Sequence, residues 1–348
     1  MNGNYPYELI EKLKFTHSLS KEEWQILIEF SDSEWLEFLF TEARAVREQQ
    51  YGTKVYIRGL IEFTNYCRDN CYYCGIRCGN SNVSRYRLTD EEILECCATG
   101  YELGFRTFVL QGGEDPHFDD EHLLNLIAAI KSNHPDCALT LSIGEKEYAS
   151  YAAYFKAGAD RYETADENHY AYLHPESLSS RHRKQCLYDL KEIGYQVGTG
   201  FMVGSPGQTS EHLAEDMLFI AELQPQMVGI GPFIPHHETP FAKENAGSVE
   251  LTLKMLALLR LLLPKVLLPA TTALGTCDTH GREQGILAGA NVVMPNLSPK
   301  DVREKYLIYD NKISTGAESA ESLELLKEQM ADIGYQVVVD RGDAKDFF

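Results

Sequence analysis

The chain has 348 residues, 44% of them hydrophobic and 24% charged, a make-up that suits a globular protein with a sizeable core, as two average domains or one large α/β barrel. No apolar run reaches the roughly 18 residues that a membrane helix needs, so no membrane partner is expected. Thirty-two Lys and Arg against 52 Asp and Glu leave a formal charge of −20, which repels phosphate backbones and makes nucleic acid an unexpected partner, although the same charge also serves plain solubility.

The first fifteen residues show no basic stretch leading into a continuous apolar run with a small-residue cleavage site, and a cytoplasmic protein is expected. Residues 1–50 read as a helical extension, because Leu9, Ile10, Trp24, Leu27, Ile28, Trp35 and Leu39 recur at helical spacing between charged residues. From Val55 the texture changes to short β-branched and apolar runs alternating with longer amphipathic stretches, the pattern of βα units. Strands are expected at residues 55–63, 107–111, 138–143, 160–163, 196–201, 227–230, 266–270 and 291–294, with helices at 90–103, 121–132, 146–157, 180–193, 211–223, 252–263 and 281–288. This order spells an α/β fold, a (β/α)8 TIM-type barrel over residues 51–309. Three helices end in glycine before the next strand, at Gly104, Gly158 and Gly194. Residues 310–348 read as a short α/β tail packed on the barrel, with a helix at 320–333 and a strand at 336–340.

Nine cysteines make an odd count, and a disulfide framework is not expected. Four of them, Cys67, Cys71, Cys74 and Cys78, fall within twelve residues, whereas the other five read as ordinary buried thiols. Cys67-Arg68-Asp69-Asn70-Cys71-Tyr72-Tyr73-Cys74 is a C-x3-C-x2-C run placed directly after the first strand. Three thiolates on one loop suit three irons of a [4Fe–4S] cube, leaving the fourth iron open to a substrate's amino and carboxylate groups. Zinc, which prefers four ligands in paired spacings, and a redox C-x-x-C remain the other uses of such cysteines. Cys78 reads as a loop residue, since a fourth thiolate would close the open iron.

With Tyr73 as the aromatic before its last cysteine, this loop resembles the radical S-adenosylmethionine (SAM) superfamily. The resemblance implies a reduced cluster that donates an electron to the sulfonium of SAM, giving methionine and a 5′-deoxyadenosyl radical, within a barrel that contains and orients it. It also assigns Gln111, Gly113 and Glu114, in Gln111-Gly112-Gly113-Glu114-Asp115, to the methionine amino group, although as a lone string these residues also fit a tight turn. Arg161 and Glu163, in Arg161-Tyr162-Glu163, and Arg183 resemble the acid and arginines that anchor the ribose and carboxylate of SAM in biotin-synthase-like members, since a guanidinium fork donates two parallel bonds; salt bridging is their alternative. Met202, within residues 198–204, falls in a stretch similar to the one that packs on adenine, with a plain barrel strand as its alternative.

Longer strings resemble the HydE-type maturases of [FeFe]-hydrogenase, in the biotin-synthase-like branch. They are Ile61-Glu62-Phe63-Thr64-Asn65-Tyr66-Cys67, Gly229-Ile230-Gly231-Pro232-Phe233-Ile234-Pro235-His236, Pro269-Ala270-Thr271-Thr272-Ala273-Leu274-Gly275-Thr276 and Met294-Pro295-Asn296. That likeness implies a role in assembling the diiron subcluster of the H-cluster from an organometallic iron–cysteine complex. HydG- and HydF-type maturases and a ferredoxin or flavodoxin electron donor are the partners it implies. It maps a substrate cavity to Ser142, Thr271, Thr272, Met294 and Tyr306, whose hydroxyls orient an anionic ligand without a titrating base; barrel packing is the alternative for each. Two departures stand out. The stretch between Gly158-Ala159-Asp160 and Glu163-Thr164-Ala165 is shorter than in the family, which bears on Arg161. Residues 310–348 lack the cysteines that hold an auxiliary [2Fe–2S] cluster in some relatives, so a single cluster is expected. Competing functions are a small-molecule radical mutase or sulfur-inserting enzyme similar to the methylornithine and biotin synthases, and an iron–sulfur carrier without turnover.

Overall fold

A computed structural model describes residues 5–164, 169–175 and 178–347. Residues 1–4 of the expected helical extension, and Ala165 of the strand string singled out above, lie outside the described residues. The extension forms helices Tyr5–Thr16, Lys21–Glu29 and Ser33–Tyr51. Ser20 starts the second with a capping box, its hydroxyl taking the Glu23 N–H while the Glu23 carboxylate takes the Ser20 N–H, and Asp32 caps the third. Their apolar stripes bury Leu13, Trp24, Leu27, Trp35 and Leu39 against helices Ser210–Leu223 and Val249–Leu262 of the barrel's outer ring.

The strands in chain order are β1 (Lys54–Ile57), β2 (Gly59–Thr64), β3 (Thr107–Gly112), β4 (Ala138–Ser142), β5 (Arg161–Glu163), β6 (Gln196–Val203), β7 (Met227–Pro232), β8 (Val292–Val293) and β9 (Gln336–Val338). The expected first strand is therefore two strands that part at Arg58. β2 opens a parallel sheet running β2-β3-β4-β5-β6-β7, while β1 lies between β8 and β9 in a second parallel sheet. Residues 266–270 form no continuous ladder. Parallel bridges nevertheless join Met227 to Leu267, Pro269 to Val292, and Leu60 to Asn296. Hydrogen bonds from Val228 N to Leu267 O at 3.0 Å, Ala270 N to Val292 O at 2.9 Å and Leu60 N to Pro295 O at 3.0 Å carry the ring around to β2. Pro269 and Pro295 explain the broken ladder, because neither offers an N–H at its place in the strand. The result is a closed parallel barrel whose strands are buried on both faces, as the near-continuous apolar runs require. No helix among the described residues is long and apolar enough to cross a membrane.

The amino-terminal end of the barrel is plugged by the chain's own C-terminus. Arg161, the first residue of β5, donates to Thr107 Oγ1 at 3.0 Å, to the Arg341 carbonyl at 2.8 Å and to Asp343 Oδ1 at 2.7 Å. Gln196 at the start of β6 donates to the same Asp343 oxygen at 2.7 Å. This corrects the expectation that Arg161 anchors SAM. Residues two apart on a strand share a side, so Arg161 and Glu163 both face inward, but Arg161 sits at the opening residue of a three-residue strand, at the end away from the catalytic face of such barrels.

Burial opposes ionisation of Asp343, yet Arg341, Arg161 and Gln196 together pull its carboxyl down to about 2. A depressed carboxyl stabilises the fold above its unfolded value of about 3.9, and that contribution disappears as the pH falls toward 2. Asp343→Asn is expected to cost about 2 kcal/mol in denaturant unfolding at pH 7. The gap from the parent protein should close progressively below pH 4.

Candidate functional site

The carboxyl ends of β2 to β7 surround a cavity of about 510 Å³, a size that encloses a cofactor and a small substrate. Leading out of β2, the cysteine loop has no regular structure and is held by polar stitching. Arg85 sends its guanidinium into the loop, donating to the carbonyls of Asn65, Ile76, Arg77 and Asn80. Asn70 Oδ1 accepts from Arg77 Nε at 2.6 Å and Gly79 N at 3.1 Å, and Asn80 Nδ2 donates to Gly75 O at 2.8 Å. Three backbone bonds then tie the loop to the rim: Arg68 N to Glu114 O and Tyr72 N to Leu173 O, both 2.9 Å, and Gly75 N to Ile308 O, also 2.9 Å. Gly113 is needed for this docking, since a Cβ there would lie 2.2 Å from Tyr66 O and 2.6 Å from Cys67 Cβ.

Cys67 and Cys74 line the cavity, and Cys71 lies close enough that Cys74 and Cys67 both act on it electrostatically. Burial pushes the Cys67 thiol up to about 11 and Cys74 to about 12, and burial followed by the charges of Cys74, Asp69 and Cys67 raises Cys71 as well. Three half-buried thiols gathered on one loop are protonated while they are free of metal, and a bound metal displaces those protons and takes the thiolates as ligands. The donor set thus fits an iron–sulfur cube with three protein ligands. Cys78, four residues further on, is exposed.

Most of the residues expected at the site come together in this cavity: Tyr73, Gln111, Gly113, Glu114, Ser142, Glu163, Met202, Thr271, Thr272, Met294 and Tyr306 all line it. Glu114 is already engaged, with Arg68 Nε at 2.9 Å on one oxygen and the Glu145 N–H at 2.8 Å on the other. Glu163 pairs with the fully buried Arg58 at 2.8 Å, and burial still leaves its carboxyl raised. Arg183 stands outside the lining, donating to Glu145 at 2.5 Å and to Thr164 Oγ1 at 2.6 Å. Arg161 is not at the site.

Several lining residues escaped the sequence. Lys312, from the strap that crosses the mouth after β8, pairs with Glu62 at 2.6 Å, and Asn296 Nδ2 holds the second Glu62 oxygen at 2.8 Å. Lys312 also stands 5.4 Å from the Tyr306 ring centre, and Tyr309 of the same strap lines the cavity. A glutamate inside the apolar run Leu60 to Phe63 was the available signal for Glu62. Nothing in the sequence points at Lys312, which reaches Glu62 across 250 residues.

The chain belongs to the radical SAM superfamily. Residues 61–220 match that family. Over 352 aligned residues the chain is 42% identical to the [FeFe] hydrogenase maturase subunit HydE of Thermotoga maritima, covering 100% of this chain and 99% of that protein. It is 31% identical to the 3-methylornithine synthase of Methanosarcina acetivorans, over 87% of each chain. Among solved structures, methylornithine synthase (PylB) superposes with a TM-score of 0.84 at 27% identity, covering 95% of this chain and 97% of that one. The hydrogenase maturase HydG superposes at 0.81 with 21% identity, over 96% of this chain and 76% of that one, a likeness of fold. The family brings with it a [4Fe–4S] cluster and SAM.

Two substitutions probe the arrangement. Cys71→Ala should abolish the SAM-responsive electron paramagnetic resonance signal of the reduced cluster, whereas Cys78→Ala should keep both iron content and signal. Lys312→Met leaves a carboxylate that is 0% exposed without its cation, and is expected to lower unfolding stability by about 3 kcal/mol, with Lys312→Arg losing much less.

Proposed function

We propose that this protein is a HydE-type maturase that acts on a small anionic, metal-bearing substrate during assembly of the hydrogenase diiron subcluster. One [4Fe–4S] cluster on Cys67, Cys71 and Cys74 is its metal centre, with residues 51–309 as the barrel that encloses the chemistry. The observation that carries this reading is that two of the three cysteines and eleven further residues named from the family pattern line one cavity. When bound, the reduced cluster supplies the electron that cleaves SAM reductively.

The chain's own residues divide the remaining work. Gln111, Gly113 and Glu114 form the rim beside Cys67, where a methionine amino group meets a carboxylate already fixed by Arg68. Met202 packs with Tyr73, Leu173 and Phe233 in an apolar cluster that suits the adenine and excludes water from it. Beside the paired Glu62, Lys312 and Glu163, the polar groups of the wall include the hydroxyls of Ser142, Thr271 and Thr272 and the phenols of Tyr306 and Tyr309. Thr271 Oγ1 is buried without a protein partner, and a Cβ on Gly231 would lie 2.8 Å from it, so the glycine leaves room beside that hydroxyl. An unanswered buried hydroxyl on the cavity wall is costly, and a ligand bearing an acceptor atom satisfies it. HydG- and HydF-type maturases and a ferredoxin or flavodoxin are the partners this role requires.

A small-molecule mutase is the competing reading, favoured by the likeness to methylornithine synthase. Two measurements separate them. Anaerobically reconstituted protein with dithionite and SAM should form 5′-deoxyadenosine; none formed by cluster-loaded protein refutes both enzyme readings and leaves the carrier. Deleting the gene from a host that co-expresses the other maturases and apo-hydrogenase should abolish hydrogen evolution, and normal evolution in the deletion refutes the maturase role.

A further inference from the structure

His174 lies outside the cavity lining and has no part in the assignments above, yet it touches the cysteine loop. It closes the short helix Tyr170–Leu173, with its own N–H bonded to Tyr170 O at 3.1 Å. Its ring is sandwiched in orientation. Tyr170 stacks on one face at 4.0 Å between centroids and 15° between planes, and Tyr73 meets it edge-on at 5.5 Å and 87°. Arg183 in turn donates to the Tyr170 hydroxyl at 3.5 Å and sits 5.7 Å from the centre of that ring. The same segment grips the loop through Leu173 O, which accepts the Tyr72 N–H at 2.9 Å. Held in this way, the imidazole presents Nδ1 to Cys71 Sγ at 3.2 Å.

We infer that His174 is a positioning residue that donates an Nδ1–H hydrogen bond to the Cys71 thiolate and thereby raises the reduction potential of the cluster. The inference rests on Cys71 being a cluster ligand. A sulfur acceptor facing a ring nitrogen fixes the proton on Nδ1, since a thiolate has no proton to give. Hydrogen bonds to ligand sulfurs withdraw electron density and favour the more negatively charged, reduced cluster, and burial keeps water from competing for the same sulfur. His174 is 6% exposed, so the bond is protected. Stacking fixes the ring plane, the helix end fixes its backbone, and the Arg183–Tyr170 contact fixes the stacking partner. Arg183 therefore braces the ring that stacks on His174, in addition to its ion pair with Glu145.

The test uses the full chain, reconstituted anaerobically with iron and sulfide, and reads the cluster's midpoint potential by redox titration followed by electron paramagnetic resonance. His174→Phe keeps an aromatic ring for the stack and loses the donor, and its midpoint should be more negative than that of the parent protein. His174→Asn places an amide N–H near the Nδ1 position and should restore most of the difference. A second readout needs no variant: in parent protein labelled with 15N only at histidine, without SAM, the reduced cluster should show a weak hyperfine coupling to one imidazole nitrogen. An unchanged potential in His174→Phe at equal iron content overturns the inference, and so does the absence of that coupling. Should His174→Phe take up no cluster, the labelled parent protein decides alone. Parent protein that binds no [4Fe–4S] cluster brings down the functional reading as well, whereas a cluster-bearing parent without the coupling brings down this inference only.

Discussion

Everything at the mouth of this barrel depends on holding an irregular, cysteine-bearing loop still without secondary structure of its own. A loop that folds three thiols inward exposes carbonyls that no ladder or helix satisfies, and such groups are costly when shielded from water. One guanidinium, that of Arg85, accepts the main share by donating to four loop carbonyls. Backbone bonds to Glu114, Leu173 and Ile308 then fasten the loop to three separate rim segments. These bonds set where the three cysteines stand on the rim, which is what an open-cornered cluster demands.

The second constraint is charge. A chain with 52 acids and 32 bases that closes a barrel around carboxylates has to match each of them inside. Glu62 takes Lys312 and Asn296, Glu163 takes Arg58, and Arg161 takes Asp343. Each pair joins elements remote in sequence. Lys312 ties down the strap beside the mouth, and Asp343 ties the C-terminal segment under the floor, so both ends of the barrel are braced by ion pairs whose partners come from the last forty residues.

Much of this was legible in the residues. The alternation of short apolar strands with amphipathic helices announced a parallel barrel, and the C-x3-C-x2-C spacing directly after the first strand announced an iron–sulfur loop. Three features escaped. Strand one breaks at Arg58 because β1 and β2 belong to different sheets, a split that a continuous apolar run does not reveal. The expected strand at residues 266–270 dissolves into single bridges, because Pro269 within it and Pro295 in the neighbouring segment remove ladder donors. Arg161 was assigned to the cofactor from an arginine-x-acid string, but period two says only that Arg161 and Glu163 share a side, not which end of the barrel each occupies.

The sequence by itself determined the class of fold, the three cysteines and the Gly-rich turn beside them, because these rest on local spacing: a strand period, a loop short enough to carry three thiols, a glycine where a side chain would strike Tyr66. Only the tertiary structure decided which carboxylates are paired and which hydroxyls face the cavity. It alone brought Lys312 to Glu62 and His174 to Cys71, across 250 and 103 residues. Such long-range pairings arise from how the barrel closes and where its last segments cross it, and no periodicity along the chain encodes that closure.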